Sequence, residues 1–82
     1  MSKKTFFVVQ PFEMQKGKKL KAGVPMEVRS AEEADRKAQR LSLSKAGAVA
    51  FSMEVEPESG DAEPPVLIGS YGEVPEDVLD AG

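Results

Sequence analysis

The segment SAEEADRKAQRL, Ser30 to Leu41, predicts the one helix on which the fold depends. Ser30 followed three residues later by Glu33 is a capping box, in which a serine side chain and a glutamate satisfy the free amides of a helix start. Acidic residues crowd the first turn and basic residues follow, as the helix dipole favours. We therefore predict a helix over residues 31–44. Its apolar stripe is formed by Ala31, Ala34, Ala38 and Leu41.

The segment after the helix, AGAVAFSMEVEP, has the clearest alternation in the chain and predicts a strand. Large side chains, from Val49 to Val55, point to one face, and small or polar ones point to the other. The small helix stripe allows close approach to a sheet. We expect the face opposite the helix to expose Ala48, Ala50 and Ser52, together with part of the FFVV run at residues 6–9.

Three further strands complete the prediction. TFFVVQPF, Thr5 to Phe12, favours a central strand, with Pro11 limiting its regular pairing. A weaker strand within residues 20–29 has Val24, Met26 and Val28 on its inner side, and Pro25 places it at an edge. VLIGSYG, at residues 66–72, is the fourth strand.

The predicted fold class is therefore α+β, with element order β-β-α-β-β. It is a four-stranded antiparallel sheet in spatial order 2-1-3-4, with one helix packed on one face. We predict a single domain over residues 1–74 and an acidic tail over 75–82 containing one short helical turn. The uncovered sheet face needs a cover. Either the tail, through Val78 and Leu79, or a second copy of the chain would provide it.

Composition excludes several classes of protein. The chain has 82 residues and contains neither cysteine nor histidine, so a disulfide scaffold and the common zinc sites are excluded. The usual general base near neutral pH is missing as well. We expect no enzyme activity, no catalytic residues, no metal and no cofactor. The apolar runs are too short to cross a bilayer, so a cytoplasmic protein without a membrane partner is expected.

The charges are polarised along the chain. Residues 1–22 carry a net +5, whereas residues 54–82 carry −9. The basic surplus is concentrated in a predicted hairpin loop. Such a loop could contact nucleic-acid phosphates, or it could be a solvated turn whose charges keep a sheet edge from pairing with another chain. The solvated turn is the preferred interpretation, because the domain is acidic overall. The lysines would then either be surrounded by solvent or lie against the acidic C-terminal third of the chain, residues 54–82. The candidate contact residues are Lys16, Lys18, Lys19 and Lys21.

Two other features were weighed as sites. The acidic stretch EVEPESGDAEPP, residues 54–65, lacks the ligand spacing of a calcium loop and is predicted to be a solvated loop. Tyr71 lies near Glu73 and Glu76, with which it could exchange protons, but packing is the expected role of a strand tyrosine.

The run RSAEEADRKAQRLSLSKAGAVAFS, followed by VLIGSYGEVPE, resembles small uncharacterised bacterial proteins over roughly residues 24–76. That resemblance implies a bacterial source and a free-standing domain but no activity. The basic hairpin ahead of SAEEA also resembles the arm-type DNA-binding domain of phage integrases, although this chain is acidic and has a strand after the helix. Our functional expectation is a non-enzymatic protein-interaction or accessory module, acting on an unknown partner or on itself. The alternative is weak nucleic-acid binding through the basic hairpin loop.

Overall fold

The computed structural model describes residues 4–16 and 19–75. The α+β class is confirmed: one helix packs on a five-stranded antiparallel sheet. The helix is α1 (Ala31–Leu41). The strands are β1 (Lys4–Gln15), β2 (Lys19–Ala22), β3 (Met26–Val28), β4 (Gly47–Val55) and β5 (Val66–Gly72).

The sheet runs β2-β1-β4-β5, and β3 also pairs with β1 on the β2 side. The predicted second strand is therefore split in two, and its two pieces form one broken edge. The segment from Gly23 to Pro25 interrupts it, and the register with β1 shifts by one residue across the break. Val24, predicted to be half-buried, is 79% exposed at that break. Otherwise the predicted order holds, with β1 central and Pro25 at an edge.

The prediction that Pro11 limits the regular pairing of the first strand was wrong, because β1 continues through Pro11 to Gln15. The register places Gly23 opposite Pro11, and the Gly23 amide donates to the Pro11 carbonyl at 2.9 Å. Proline has no amide hydrogen with which to return this bond. The side chain of Gln10 replaces it, since its Nε2 donates to the Gly23 carbonyl at 2.7 Å. The side-chain amide of Gln10 thus replaces the backbone hydrogen bond that Pro11 cannot donate, and the strand pairing continues past the proline.

The helix starts as predicted and ends earlier. Ser30 is the N-cap, with extended backbone, and its Oγ accepts from the Glu33 amide at 3.1 Å. Glu32 and Arg36 form an i, i+4 ion pair at 3.7 Å. The last helical residue is Leu41, and Ser42 caps the end.

The helix covers the face of the sheet opposite to the one we predicted. Ala34 and Ala38 are fully buried against Val9, Ala48 and Ala50. Alanine therefore faces alanine, which brings the helix axis close to the sheet, and the small side of β4 is the covered side. Ala31, predicted to belong to the stripe, is exposed.

The large side chains of β4 consequently lie on the face away from the helix. Register places them beside the even-numbered residues of β1. Val49 and Phe12 are buried on this face, at 0% and 4% exposure. The others are half-buried: Phe6, Val8, Phe51, Met53 and Val55. The predicted cover through Val78 and Leu79, like the predicted helical turn of the acidic tail, lies outside the described residues.

In the described part of the chain, no helix combines the length and the apolar character needed to cross a membrane.

Candidate functional site

Three of the four candidate lysines lie at one end of the sheet, at the turn between β1 and β2. Lys16, Lys19 and Lys21 are exposed there, whereas Lys18 lies outside the described residues. Register places Lys19 opposite Gln15 and Lys21 opposite Glu13. We call this group, together with Lys45, the basic hairpin end.

Lys45 joins the hairpin from the segment after the helix, which sequence reasoning did not foresee. Its Nζ donates to Glu13 Oε1 at 2.9 Å. That hydrogen bond and the lysine charges nearby hold the pKa of Glu13 below its ordinary value. Lys21 adds to the effect. The only acid of the hairpin is therefore ion-paired, but the one aromatic nearby, Phe12, is buried and cannot stack on a base.

The acidic stretch 54–65, which we call the acidic loop, lies at the opposite end of the sheet. Register aligns Lys4, at the start of β1, with Val55, whereas the hairpin is at the far end of the 12-residue β1. The loop is held by backbone bonds between Glu56 and Asp61 and between Glu54 and Glu63. The expectation that the lysines lie against the acidic third is therefore wrong for this loop. Among the described residues, the lysine-rich hairpin and the acidic loop thus lie at opposite ends of the sheet, although Glu73 lies near the hairpin end.

The acidic loop does not gather its carboxylates into a metal site. Within residues 4–16 and 19–75, no group of three or more aspartates and glutamates is placed to hold a metal ion. Residues 57–65 of the loop are exposed, as predicted, whereas Glu56 is half-buried and Ala62 forms an isolated bridge with Val55.

Strand β5 forms the other edge of the sheet. Among the described strands only β4 pairs with it. Its sequence contains no charged residue and no proline. Val66 is 63% exposed and Leu67 is 49% exposed, which puts two of the most exposed large apolar side chains of the described residues on this one strand. We call the outer side of residues 66–72 the β5 edge.

Tyr71 attaches this edge strand to the helix. Its hydroxyl donates a hydrogen bond to Asp35 Oδ1 of α1. The bond to the carboxylate, followed by partial burial, raises the pKa of Tyr71 above its ordinary value. The hydroxyl therefore contacts the helix, and Tyr71 also packs against the core cluster, as expected of a strand tyrosine. Glu76, one of the two glutamates considered for proton exchange, lies outside the described residues.

Gly69 makes room for this contact. A Cβ at position 69 would lie 2.5 Å from Asp35 Oδ1 and 3.1 Å from Tyr71 Cε2. The glycine therefore lets the carboxylate and the phenol meet above the strand. The hydrogen bond from Tyr71 to Asp35 therefore joins β5 to α1 on the covered face of the sheet.

Comparison with known proteins gives no guide to function. No family model matches the sequence, and searches of the curated proteins and of the solved structures find no match. The site must therefore be judged from its own geometry.

Proposed function

We propose that this chain is a cytoplasmic, non-enzymatic protein-interaction module, and that its partner adds a strand to the β5 edge. The observation that carries the proposal is a seven-residue edge strand with no protecting charge or proline. Edge strands expose rows of backbone donors and acceptors, and natural proteins usually block them unless they are used. Binding by strand addition takes its affinity from these main-chain groups.

The two edges of the same sheet differ in a way that supports this proposal. The β2–β3 edge is broken by a register shift at Gly23–Pro25 and carries lysines. Those are the features that discourage pairing with another chain. The β5 edge has no lysine or other charged residue, although its own pairing with β4 also shifts register, between Ala50 and Phe51. The charge on the outer strands is therefore what distinguishes the two edges.

The register identifies which groups of β5 face outward. The Glu73 amide donates to the Ala46 carbonyl at 2.9 Å, which makes this a hydrogen-bonded pair. Hydrogen-bonded and non-hydrogen-bonded pairs alternate along an antiparallel ladder. Tyr71 and Gly69 therefore bond to β4, and the amide and carbonyl of Ser70 and Gly72 point away from it.

Ser70→Pro is expected to abolish partner binding while leaving the ladder with β4 intact. Proline removes the outward amide and places its ring at the free edge, where proline is tolerated. The matched control is Ser70→Ala, which keeps the amide and shortens only an exposed side chain. We expect at least a tenfold loss of affinity for the proline variant, about 1.4 kcal/mol, and little change for the alanine variant.

The measurement is capture on immobilised chain, offered both native cell extract and purified untagged chain. A protein retained by wild type and Ser70→Ala but lost from Ser70→Pro supports strand addition. Leu67→Lys is a second blocking variant that leaves the backbone unchanged. Equal retention by all four proteins, or retention of nothing by wild type, contradicts the proposal. Circular dichroism confirms that each variant is folded.

The alternative function is nucleic-acid binding at the basic hairpin end. The observation that favours it is the separation of the exposed lysines from the acidic loop by the length of β1. Replacing Lys16, Lys18, Lys19 and Lys21 by glutamine is expected to remove weak, salt-sensitive binding. Titration of labelled duplex and single-stranded oligonucleotides at low salt is the measurement. Absence of binding by wild type rules this function out.

A further inference from the structure

We infer that a groove beside the helix binds an acidic peptide segment of a partner protein, one that also carries a large apolar side chain. The groove has a volume of about 660 Å³ and lies between the interrupted β2–β3 edge and Lys45, in the segment after α1. Pockets that hold ligands have volumes of about 300–1,000 Å³. The groove is separate from the β5 edge, so this inference goes beyond the proposed function.

Register places the groove on the face of the sheet that α1 covers. Residues paired across two strands point to the same face. Met26 pairs with Val9, which is buried against the helix alanines, and Lys21 pairs with Glu13. Because side chains alternate along a strand, Glu13 lies on the same face as Val9. Lys45 borders the groove from the segment after α1, through its ion pair with Glu13 at 2.9 Å.

The charge of the groove favours an anionic ligand. Lys21 and Lys45 lie in its lining, and Glu13 is the one acid among the described residues that line it. Lys19 pairs with Gln15 and therefore points to the same face. An ammonium group has three donors, so Lys45 keeps donors for a ligand beside its bond to Glu13. A carboxylate that enters the groove thus meets three ammonium groups and a single competing acid.

Two neighbouring acids lie outside the groove and do not cancel this charge. Glu27 pairs with Val8 and so points to the opposite face. Glu73 follows Gly72, which is two strand spacings from β1, or about 10 Å. That separation exceeds the Debye length of about 8 Å at physiological salt, so Glu73 has little effect on a ligand in the groove.

The apolar part of the lining gives the ligand its second feature. Val24 is 79% exposed and Met26 is half-buried, while the buried Pro11 borders the same space. A large apolar side chain of the peptide would cover Val24 and Met26, and removal of this area from water is favourable. Methionine also adapts its shape to different ligands.

The same lining disfavours a nucleic acid. A nucleic-acid strand has no aliphatic side chain to place against Val24. Single strands bind mainly where bases stack on aromatic residues, and no aromatic residue is among the described residues that line the groove. An acidic peptide with an apolar side chain therefore matches both parts of the lining.

Fluorescence anisotropy with three labelled peptides tests the class of ligand. The first, Ser-Glu-Leu-Asp-Leu-Glu-Ser with blocked ends, carries both features. The second has glutamine and asparagine in place of the acids, and the third has serine in place of the leucines. We expect the full chain to bind the first peptide about fivefold or more tightly than either of the others. Equal binding of all three, or no binding of the first, overturns the inference. A labelled single-stranded oligonucleotide that binds more tightly than the first peptide overturns it in favour of nucleic acid.

Substitutions in the chain locate the site. Lys21→Gln and Val24→Ser should each weaken binding of the first peptide by about fivefold. The matched controls are Lys16→Gln and Leu43→Ser, at exposed positions outside the lining, and these should have little effect. Circular dichroism confirms that each variant is folded. If the controls weakened binding as much as the groove variants, the attraction would be diffuse and the groove would not be the site.

Glu13→Gln should change the affinity in the opposite direction. The substitution removes the acid that competes for Lys45, so we expect the first peptide to bind about threefold more tightly and the uncharged peptide to be unaffected. Weaker binding of the first peptide would contradict the role of Lys45. Ser70→Pro should leave peptide binding unchanged, because Ser70 lies on β5. Failure of the peptide to bind therefore leaves the proposed function to be decided by the capture experiment.

Discussion

Replacing Gly47 with alanine is expected to remove a large part of the stability of the domain. A Cβ at this position would lie 2.7 Å from the carbonyl carbon and from the amide nitrogen of Glu73, and closer still to the carbonyl oxygen. These are backbone atoms, so no rotamer change can relieve the overlap. The chain after β5 would have to move away from the start of β4.

That movement would break the pairing at the end of the sheet. Gly47 is buried and lies between Phe12 of β1 and Gly72 of β5. The neighbouring hydrogen bond from the Glu73 amide to the Ala46 carbonyl would be lost with it. We expect a loss of about 3 kcal/mol or more in the free energy of unfolding, since overpacking and lost pairing add. A domain of this size has only about 4–12 kcal/mol in total.

Gly60→Ala is the matched control. Gly60 has a φ of +77°, but a Cβ there would meet nothing within 4 Å. That substitution should reduce stability only by the penalty for a left-handed residue, about 1–2 kcal/mol. Urea denaturation of both variants measures the difference. Equal losses at the two positions would contradict crowding against Glu73 as the reason that position 47 requires glycine.

The sequence predicted the elements of this fold better than it predicted their faces. The capping box at Ser30 and the alternation along β4 both identified their elements correctly, because these signals are local. Which side of β4 the helix would cover depends on packing between distant elements. Helical spacing alone could not show that the alanines of α1 would match Ala48 and Ala50 and not the larger residues.

The continuation of β1 through Pro11 was hidden for a similar reason. A proline in a strand normally ends regular pairing. Here a neighbouring side chain, that of Gln10, reaches a carbonyl 13 residues along the chain. No periodicity carries that information, because the bond depends on the registration of two strands.

The sequence predicted only part of the candidate site. The lysines were found because charge density is a compositional signal, but Lys45 was missed because it joins them through the tertiary structure. The β5 edge had a signal in the sequence: VLIGSYG lacks any charge or proline. That absence gains meaning only once the strand order shows that β5 lies at an edge.

Ala38→Leu is expected to displace the helix from the sheet. Ala38 is fully buried, and so are Val9, Ala48 and Ala50 in the same cluster. The three added carbon atoms have no space unless α1 moves outward, since protein interiors are close-packed. Overpacking of this kind costs about 1–3 kcal/mol, and we expect the upper end here because the other members of the cluster are already fully buried.

Displacement of α1 also has a local readout. Tyr71 is the only tyrosine, and the chain has no tryptophan, so intrinsic fluorescence reports its hydroxyl contact with Asp35. We expect the emission of Ala38→Leu to change in the folded state, as the carboxylate moves away from the phenol. Urea denaturation followed by circular dichroism gives the accompanying loss of stability.

Ala31→Leu provides the control, because Ala31 belongs to the same helix but is exposed. Leucine has nearly the helix propensity of alanine, so stability should stay within about 0.5 kcal/mol and the tyrosine emission should not change. If Ala38→Leu behaved like Ala31→Leu, the contact between helix and sheet would have to be loose enough to accept a larger side chain. That result would contradict the inference that alanine packs against alanine at close range between α1 and β4. It would also remove the reason given for placing the large side chains of β4 on the other face.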